Sequence, residues 1–161
     1  MDRARLVCAA ALAMLLIGPR EAAADITAFI GVTPTPEMHA VQGFALGVGL
    51  LIVGFEFEYA HAAEDTVDEL PSLHTGSANV FVQTPVEIHR LKFYGTTGVG
   101  FYRERLVLRQ ETHYANNVGG GVKIRLAGPL RLRIDYRVFQ LHGNPLFSTY
   151  QRVYVGANLS F

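Results

Sequence analysis

An all-β chain folded as an eight-stranded antiparallel up-and-down barrel is the architecture this sequence predicts, and three observations predict it. Residues 151–161 alternate apolar and polar without a break and stop on an aromatic ring, Phe161. Seven further stretches with a two-residue period precede it, and an even count is what an up-and-down barrel needs to close. The connections between the stretches also differ: those after the first, third, fifth and seventh read as long, and those after the second, fourth and sixth as short.

The first strand is expected over residues 25–33, with Ile26, Ala28, Ile30 and Val32 on one face, and Pro34 and Pro36 end it because proline cannot donate to a ladder. A second strand over 42–49 sets Phe44, Leu46 and Val48 against Gly43, Ala45, Gly47 and Gly49. After a tight connection near Leu50 and Leu51, the third, over 53–60, puts Val53, Phe55, Phe57 and Tyr59 on one side and Glu56 and Glu58 on the other. Residues 61–76 carry Glu64, Asp65, Asp68, Glu69 and Pro71 with no apolar period, and read as the longest loop.

The fourth strand, over 77–84, opposes Ala78, Val80 and Val82 to Asn79, Phe81 and Gln83. The fifth, over 91–102, alternates Leu91, Phe93, Val99 and Phe101 with Lys92, Tyr94 and Tyr102, and residues 103–112 follow as a charged loop. The sixth, over 117–126, opposes Val118, Val122, Ile124 and Leu126 to Asn117, Gly121, Lys123 and Arg125. A short turn at Ala127, Gly128 and Pro129 leads to the seventh, over 130–138, where Leu130, Leu132, Ile134, Tyr136 and Val138 face away from Arg131, Arg133, Asp135 and Arg137. His142, Gly143, Asn144 and Pro145 then lead to the closing strand.

At 161 residues, half of them hydrophobic, the chain suits one domain. Arg3 and Arg5 precede an apolar run over 6–18, and Ala22, Ala23 and Ala24 follow, which is the order of a secretory signal peptide over residues 1–24 cleaved after Ala24. Cys8, the only cysteine, falls inside it, so the remaining 25–161 domain needs no thiol chemistry. The leader removes Arg3, Arg5 and Arg20 from 14 basic residues and Asp2 and Glu21 from 14 acidic ones. The remainder is within one charge of neutral, which gives no electrostatic case for nucleic acid. Past the leader no apolar stretch reaches the roughly 18–20 residues of a membrane-crossing helix, so any membrane crossing falls to strands.

Which face meets what is decided by parity. If the apolar face points inward, the chain is a soluble exported barrel of lipocalin type. If it points outward into lipid, Glu56, Glu58, Lys92, Lys123, Arg125, Arg131, Arg133, Asp135, Arg137 and Arg152 line the lumen, and glycines on the same face make room for them. The terminal aromatic, the connection lengths and the Phe and Tyr residues near strand ends favour lipid outside.

The alternating terminal strand with Tyr154 and a final Phe161 resembles the C-terminal signal of bacterial outer-membrane β-barrels, and the whole of 25–161 resembles the small family of OmpX and the transmembrane part of OmpA. The resemblance implies a transmembrane β-barrel of the cell outer membrane, inserted by the outer-membrane assembly machinery reading Tyr154 and Phe161. Since the sequence stops at that strand, no peptidoglycan-binding domain is expected.

Charges inside so narrow a barrel must pair, because an isolated buried ion costs several kcal/mol. The expected lumen charge network is Glu56, Glu58, Lys92, Lys123, Arg125, Arg133, Asp135 and Arg137, with Glu56, Glu58 and Asp135 accepting from Arg133, Arg137 and Arg125. That network reads as a plug, against the alternative of a narrow channel whose ion pairs exchange. A lipid-modifying enzyme would have only Ser77, Ser148, His142 and His74 for its parts, in no catalytic spacing, so no catalytic residue is assigned. His39, His61, His74, His113 and His142 belong to the outer loops or their edges, but no spacing among them or with the acidic residues at 64–69 makes a metal site. No cofactor is expected. The expected partners are outer-membrane lipid, the assembly machinery, and an unidentified external partner met through residues 61–76 by a monomeric barrel.

Overall fold

The computed structural model describes residues 23–35, 38–63, 71–106 and 109–161. They form eight strands and no helix: β1 (Ala23–Thr35), β2 (His39–Leu50), β3 (Val53–Ala62), β4 (Ser72–Gln83), β5 (Leu91–Leu106), β6 (Arg109–Ala127), β7 (Leu130–Leu141) and β8 (Thr149–Ser160). Each pairs antiparallel with its neighbours in sequence, and β8 returns to β1, so the sheet is a closed barrel without a free edge. Closure is completed by reciprocal backbone hydrogen bonds between Ala24 and Phe161. The expected leader and its cleavage point concern residues 1–24; residues 1–22 lie outside the described residues, and β1 already begins at Ala23.

The two-residue period sorts the side chains as lipid-out parity requires. Outward stand Phe55, Phe57, Val99, Phe101 and Val118, each at least 58% exposed, while Glu56, Glu58, Arg133, Asp135 and Arg137 are at most 4% exposed in the interior. A soluble lipocalin-type barrel would have the opposite arrangement, so that alternative is overturned: the interior here is charged and the exterior apolar. With the sheet closed on itself and an apolar outer face, the fold is a transmembrane β-barrel.

Three sequence expectations are corrected at the end away from the termini. Residues 61–76 are not one long loop, because β3 runs to Ala62 and β4 starts at Ser72, leaving 63–71 between them. The charged stretch 103–112 is not a loop either: β5 and β6 stay in register as far as Leu106 opposite Arg109. Its charges alternate faces like any strand, with Glu104 buried inside and Arg103 and Arg105 exposed outside, so polarity on both faces hid the strand without ending it. Connection length therefore follows the expected alternation only in part. The β4–β5 connection at 84–90, at the terminal end, is longer than 36–38 between β1 and β2 at the far end.

Two glycines have evident mechanical reasons. A Cβ on Gly54 would fall 2.2 Å from Cζ of Phe81, so this glycine gives the ring its place in the lumen. Gly128 occupies the two-residue β6–β7 turn at φ +52°, a left-handed conformation that costs glycine nothing.

Candidate functional site

The lumen is built in two layers. Towards the far end lies an apolar cluster that includes Val41, Ala62, Leu73, Phe139, Leu141 and Tyr150. Over it folds the β7–β8 connection, held by Glu104, whose carboxylate accepts from the Leu146 amide (2.9 Å) and the Tyr150 hydroxyl (3.3 Å). The Tyr102 hydroxyl donates to the His142 carbonyl at 2.6 Å, and the Glu111 carboxylate accepts from the Asn144 amide at 3.2 Å.

Below that cap the interior is ionic. Arg137 Nη2 donates to Glu56 Oε1 at 2.7 Å and its Nε to Asp135 Oδ1 at 2.9 Å, while Nη1 lies 3.1 Å from Glu58 Oε2. Arg133 pairs with both Glu56 and Asp135, and its Nε donates to the Tyr94 hydroxyl at 2.7 Å. That hydroxyl in turn donates to Asp135. Arg152 pairs with Glu58, and Lys123 pairs with Asp25. Among the described residues the network thus joins Asp25, Glu56, Glu58 and Asp135 to Lys123, Arg133, Arg137 and Arg152, four carboxylates to four cations, all buried. Formal charge cancels among these eight groups, the condition under which buried ions are tolerated.

Aromatic faces complete the packing. The Arg133 guanidinium carbon sits 4.8 Å from the Tyr94 ring centre and that of Arg152 4.6 Å from Phe139. Tyr154 stacks on Phe29 at 4.0 Å. Asn158 donates to Thr27 at 2.9 Å and Asn117 to Asn79 at 2.8 Å.

The expected residues divide accordingly. Glu56, Glu58, Lys123, Arg133, Asp135 and Arg137 are together in the interior. Arg125 is not with them, which corrects its expected pairing: its side chain is 49% exposed at the mouth near the termini and bonds Glu87 at 2.7 Å. Arg131 reaches the same carboxylate at 3.3 Å. The register explains this, since Arg125 pairs opposite Arg131, one rung below Lys123 and Arg133, where the ladder shifts register just before the turn. Lys92 lies half-buried beside Lys123 on the ladder, without an ion pair among the described residues. Tyr154 and Phe161 part company: Tyr154 is buried in the lumen, and Phe161 is 67% exposed at the barrel's end.

Asp25 was not among the expected lumen charges, and Arg152, expected on the lumen face, was not assigned to the network. The signal for both was the same alternation, because Asp25 falls opposite Ile26 in β1 and Arg152 opposite Val153 in β8.

His61 and His74 stand in β3 and β4 instead of a loop, their rings stacked at 4.2 Å, and Tyr59 shares a 2.8 Å hydrogen bond with His74 Nδ1. His74 faces outward while Ser77, three residues on, has the opposite parity, so β4 separates these two parts of a hydrolase. His142 stacks on Tyr114 at 4.3 Å.

Comparison with solved structures returns barrels of this kind. The N-terminal β-barrel domain of Pseudomonas aeruginosa OprF superposes with a TM-score of 0.69 at 14% identity, over 88% of this chain and 98% of that one. Neisserial surface protein A gives 0.66 at 14% identity, over 86% and 95%. Ail, the attachment invasion locus protein of Yersinia pestis, gives 0.56 at 14% identity, over 88% and 99%. The outer membrane enzyme PagL gives 0.53 at 11% identity, over 84% and 98%. No protein-family model and no curated protein matches the sequence. The chain has the fold of the small eight-stranded outer-membrane β-barrels.

Proposed function

We propose that this chain is a monomeric integral barrel of the outer membrane whose lumen is closed by its own side chains, and whose role is structural or one of surface interaction, without catalysis or a cofactor. The observation that carries the reading is the bonding of β3 to β7 across the lumen, through Glu56 and Glu58 to Arg133 and Arg137. A conducting pore needs a continuous water path, whereas these groups are buried and spend their charges on one another. The apolar cluster and the Glu104-anchored connection close the far end a second time.

Outer-membrane location is supported by the apolar exterior and by the likeness in fold to OprF, Neisserial surface protein A and Ail. In such a membrane the terminal end faces the periplasm. The assembly machinery would read the closing strand, with Phe161 the aromatic that remains accessible and Tyr154 turned inside once the barrel has closed. A partner outside the cell would be met at the far end, around residues 63–71 and the rungs beside them.

The test is a gel and a bilayer. Protein from the outer-membrane fraction is expected to run faster unheated than boiled in SDS, and both it and Arg133→Ala are expected to give no conductance steps in planar bilayers. Recovery from the soluble periplasmic fraction as a single band, or single-channel steps from the natural chain, would overturn the reading.

A further inference from the structure

On the outer wall of the barrel, three successive rungs of β3, β4 and β5 change character together. The first sets Phe57, Ala78 and Val99 side by side; the second Tyr59, Gly76 and Phe101; the third His61, His74 and Arg103. In the first two, a small residue on β4 stands between large ones on its neighbours, so β4 is the floor of a groove and β3 and β5 are its walls. Phe57 is 67% exposed and Phe101 70%. Nothing lies within 4 Å of where a Gly76 Cβ would be, so the floor is open. The apolar groove measures about 500 Å³.

It does not end blindly. Tyr59, Gly76 and Phe101 also border a second hollow of about 370 Å³ whose other walls include His74, Arg103 and Thr112. Thr112 continues the third rung on β6. No carboxylate stands on that rung among the described residues, and Arg103 makes no ion pair with them. Arg105, one rung further out, is also exposed. The wall thus runs from an aliphatic and aromatic trough, through the Tyr59 and Phe101 rings, to a basic and hydroxylated shelf, in the order a lipid molecule presents chain, glycerol level and headgroup.

We infer that this groove seats one membrane lipid with an anionic phosphate headgroup, its acyl chain lying over Ala78 and Gly76 and its phosphate meeting Arg103, His74 and Thr112. The guanidinium supplies a fork of donors matched to phosphate oxygens, and with the Tyr59 hydroxyl donating to Nδ1 the His74 imidazole, stacked on His61, presents Nε2–H as a further donor. The occupant is a lipid because the shelf is continuous with a trough that free phosphate would leave empty. This inference rests on the barrel standing in a bilayer.

The probes are dioleoyl phosphatidylglycerol and dioleoyl phosphatidylcholine, added in equal amount to the detergent-extracted barrel and read as retained adducts by native mass spectrometry. Two variants accompany the natural chain: His74→Gln with Arg103→Gln, which removes the basic shelf, and Gly76→Phe, which fills the floor where there is room. Unheated and boiled gels are run on every sample. The natural chain is expected to retain phosphatidylglycerol roughly tenfold over phosphatidylcholine. The double variant is expected to lose that preference, and Gly76→Phe to lose retention of phosphatidylglycerol although its basic residues remain. Equal retention of the two lipids by the natural chain overturns the inference, as does a preference that survives either variant in a sample whose unheated band still runs fast. Loss of that fast band in the natural chain would overturn the membrane reading itself, and this inference with it.

Discussion

Glu56 and Arg137 stand on strands that share no backbone hydrogen bond, β3 and β7, four steps apart around an eight-stranded ring, yet their carboxylate and guanidinium meet at 2.7 Å. The contact is a strut across the diameter of the barrel. Neither group has water as an alternative partner at 3% and 0% side-chain exposure. Removing one therefore leaves the other charged, buried and short of a partner.

Arg137→Ala is accordingly expected to cost about 3–5 kcal/mol of stability, the usual result of breaking a buried pair from one side. Urea titration of the folded barrel in detergent, followed by loss of the fast unheated band, measures it. Glu56→Gln with Arg137→Gln should cost less than the two single changes added together. A sum that is strictly additive would mean the strut is not an energetic unit.

The pair Lys123–Asp25 and the pair Arg125–Glu87 make a contrast within one barrel. The first is 3% and 7% exposed, the second 49% and 21%. Asp25→Asn is expected to lower stability by about 3 kcal/mol with little dependence on salt, and Glu87→Gln by less than about 1 kcal/mol. Equal losses from the two substitutions would contradict the placement of Asp25 in the sealed network.

A second contrast concerns glycines. Gly54→Ala drives a methyl into the Phe81 ring and is expected to destabilise by roughly 1–3 kcal/mol, an effect that Phe81→Leu should relieve in part. Gly76→Ala meets nothing and should stay within about 0.5 kcal/mol of the natural chain. Thermal shift of the gel band distinguishes them.

Glu104 holds the β7–β8 connection over the end of the lumen. Glu104→Ala is expected to release residues 142–148 to brief proteolysis while the barrel's fast unheated band persists, since the two lost hydrogen bonds are worth about 1–3 kcal/mol together and one of them, from the Leu146 amide, holds the cap itself. Cleavage at the same rate as in the natural chain would show that the apolar cluster closes that end without it.

Much of this was legible in the sequence, and the reason is geometric. A strand's period of two assigns each side chain to a face independently of what the strand packs against, so Glu56, Arg133 and Asp135 could be set on the face away from residues such as Phe57 and Phe101 before any pairing was known. The same rule covers Asp25 and Arg152 as soon as the lumen is taken to be charged. Where the residues are charged on both faces, as from Arg103 to Arg105, alternation persists but the apolar signal that marks a strand is gone. The ladder there and the inward turn of Glu104 were therefore hidden.

What the sequence determined by itself is the strand count and which residues share a face, because these depend only on local periodicity; that the charged face is the lumen was settled by the burial of Glu56, Arg133 and Asp135 in the closed barrel. What only the tertiary structure decided is who meets whom. The stagger of eight strands around the ring sets the height of each residue in the lumen, and that height put Arg137 level with Glu56 on the far wall. It also carried Arg125 out to Glu87 at the mouth, and brought a glycine, two aromatic rings, two histidines and an arginine from three strands into one groove on the outer wall. No local pattern encodes that stagger, since it arises from the closure of the whole sheet.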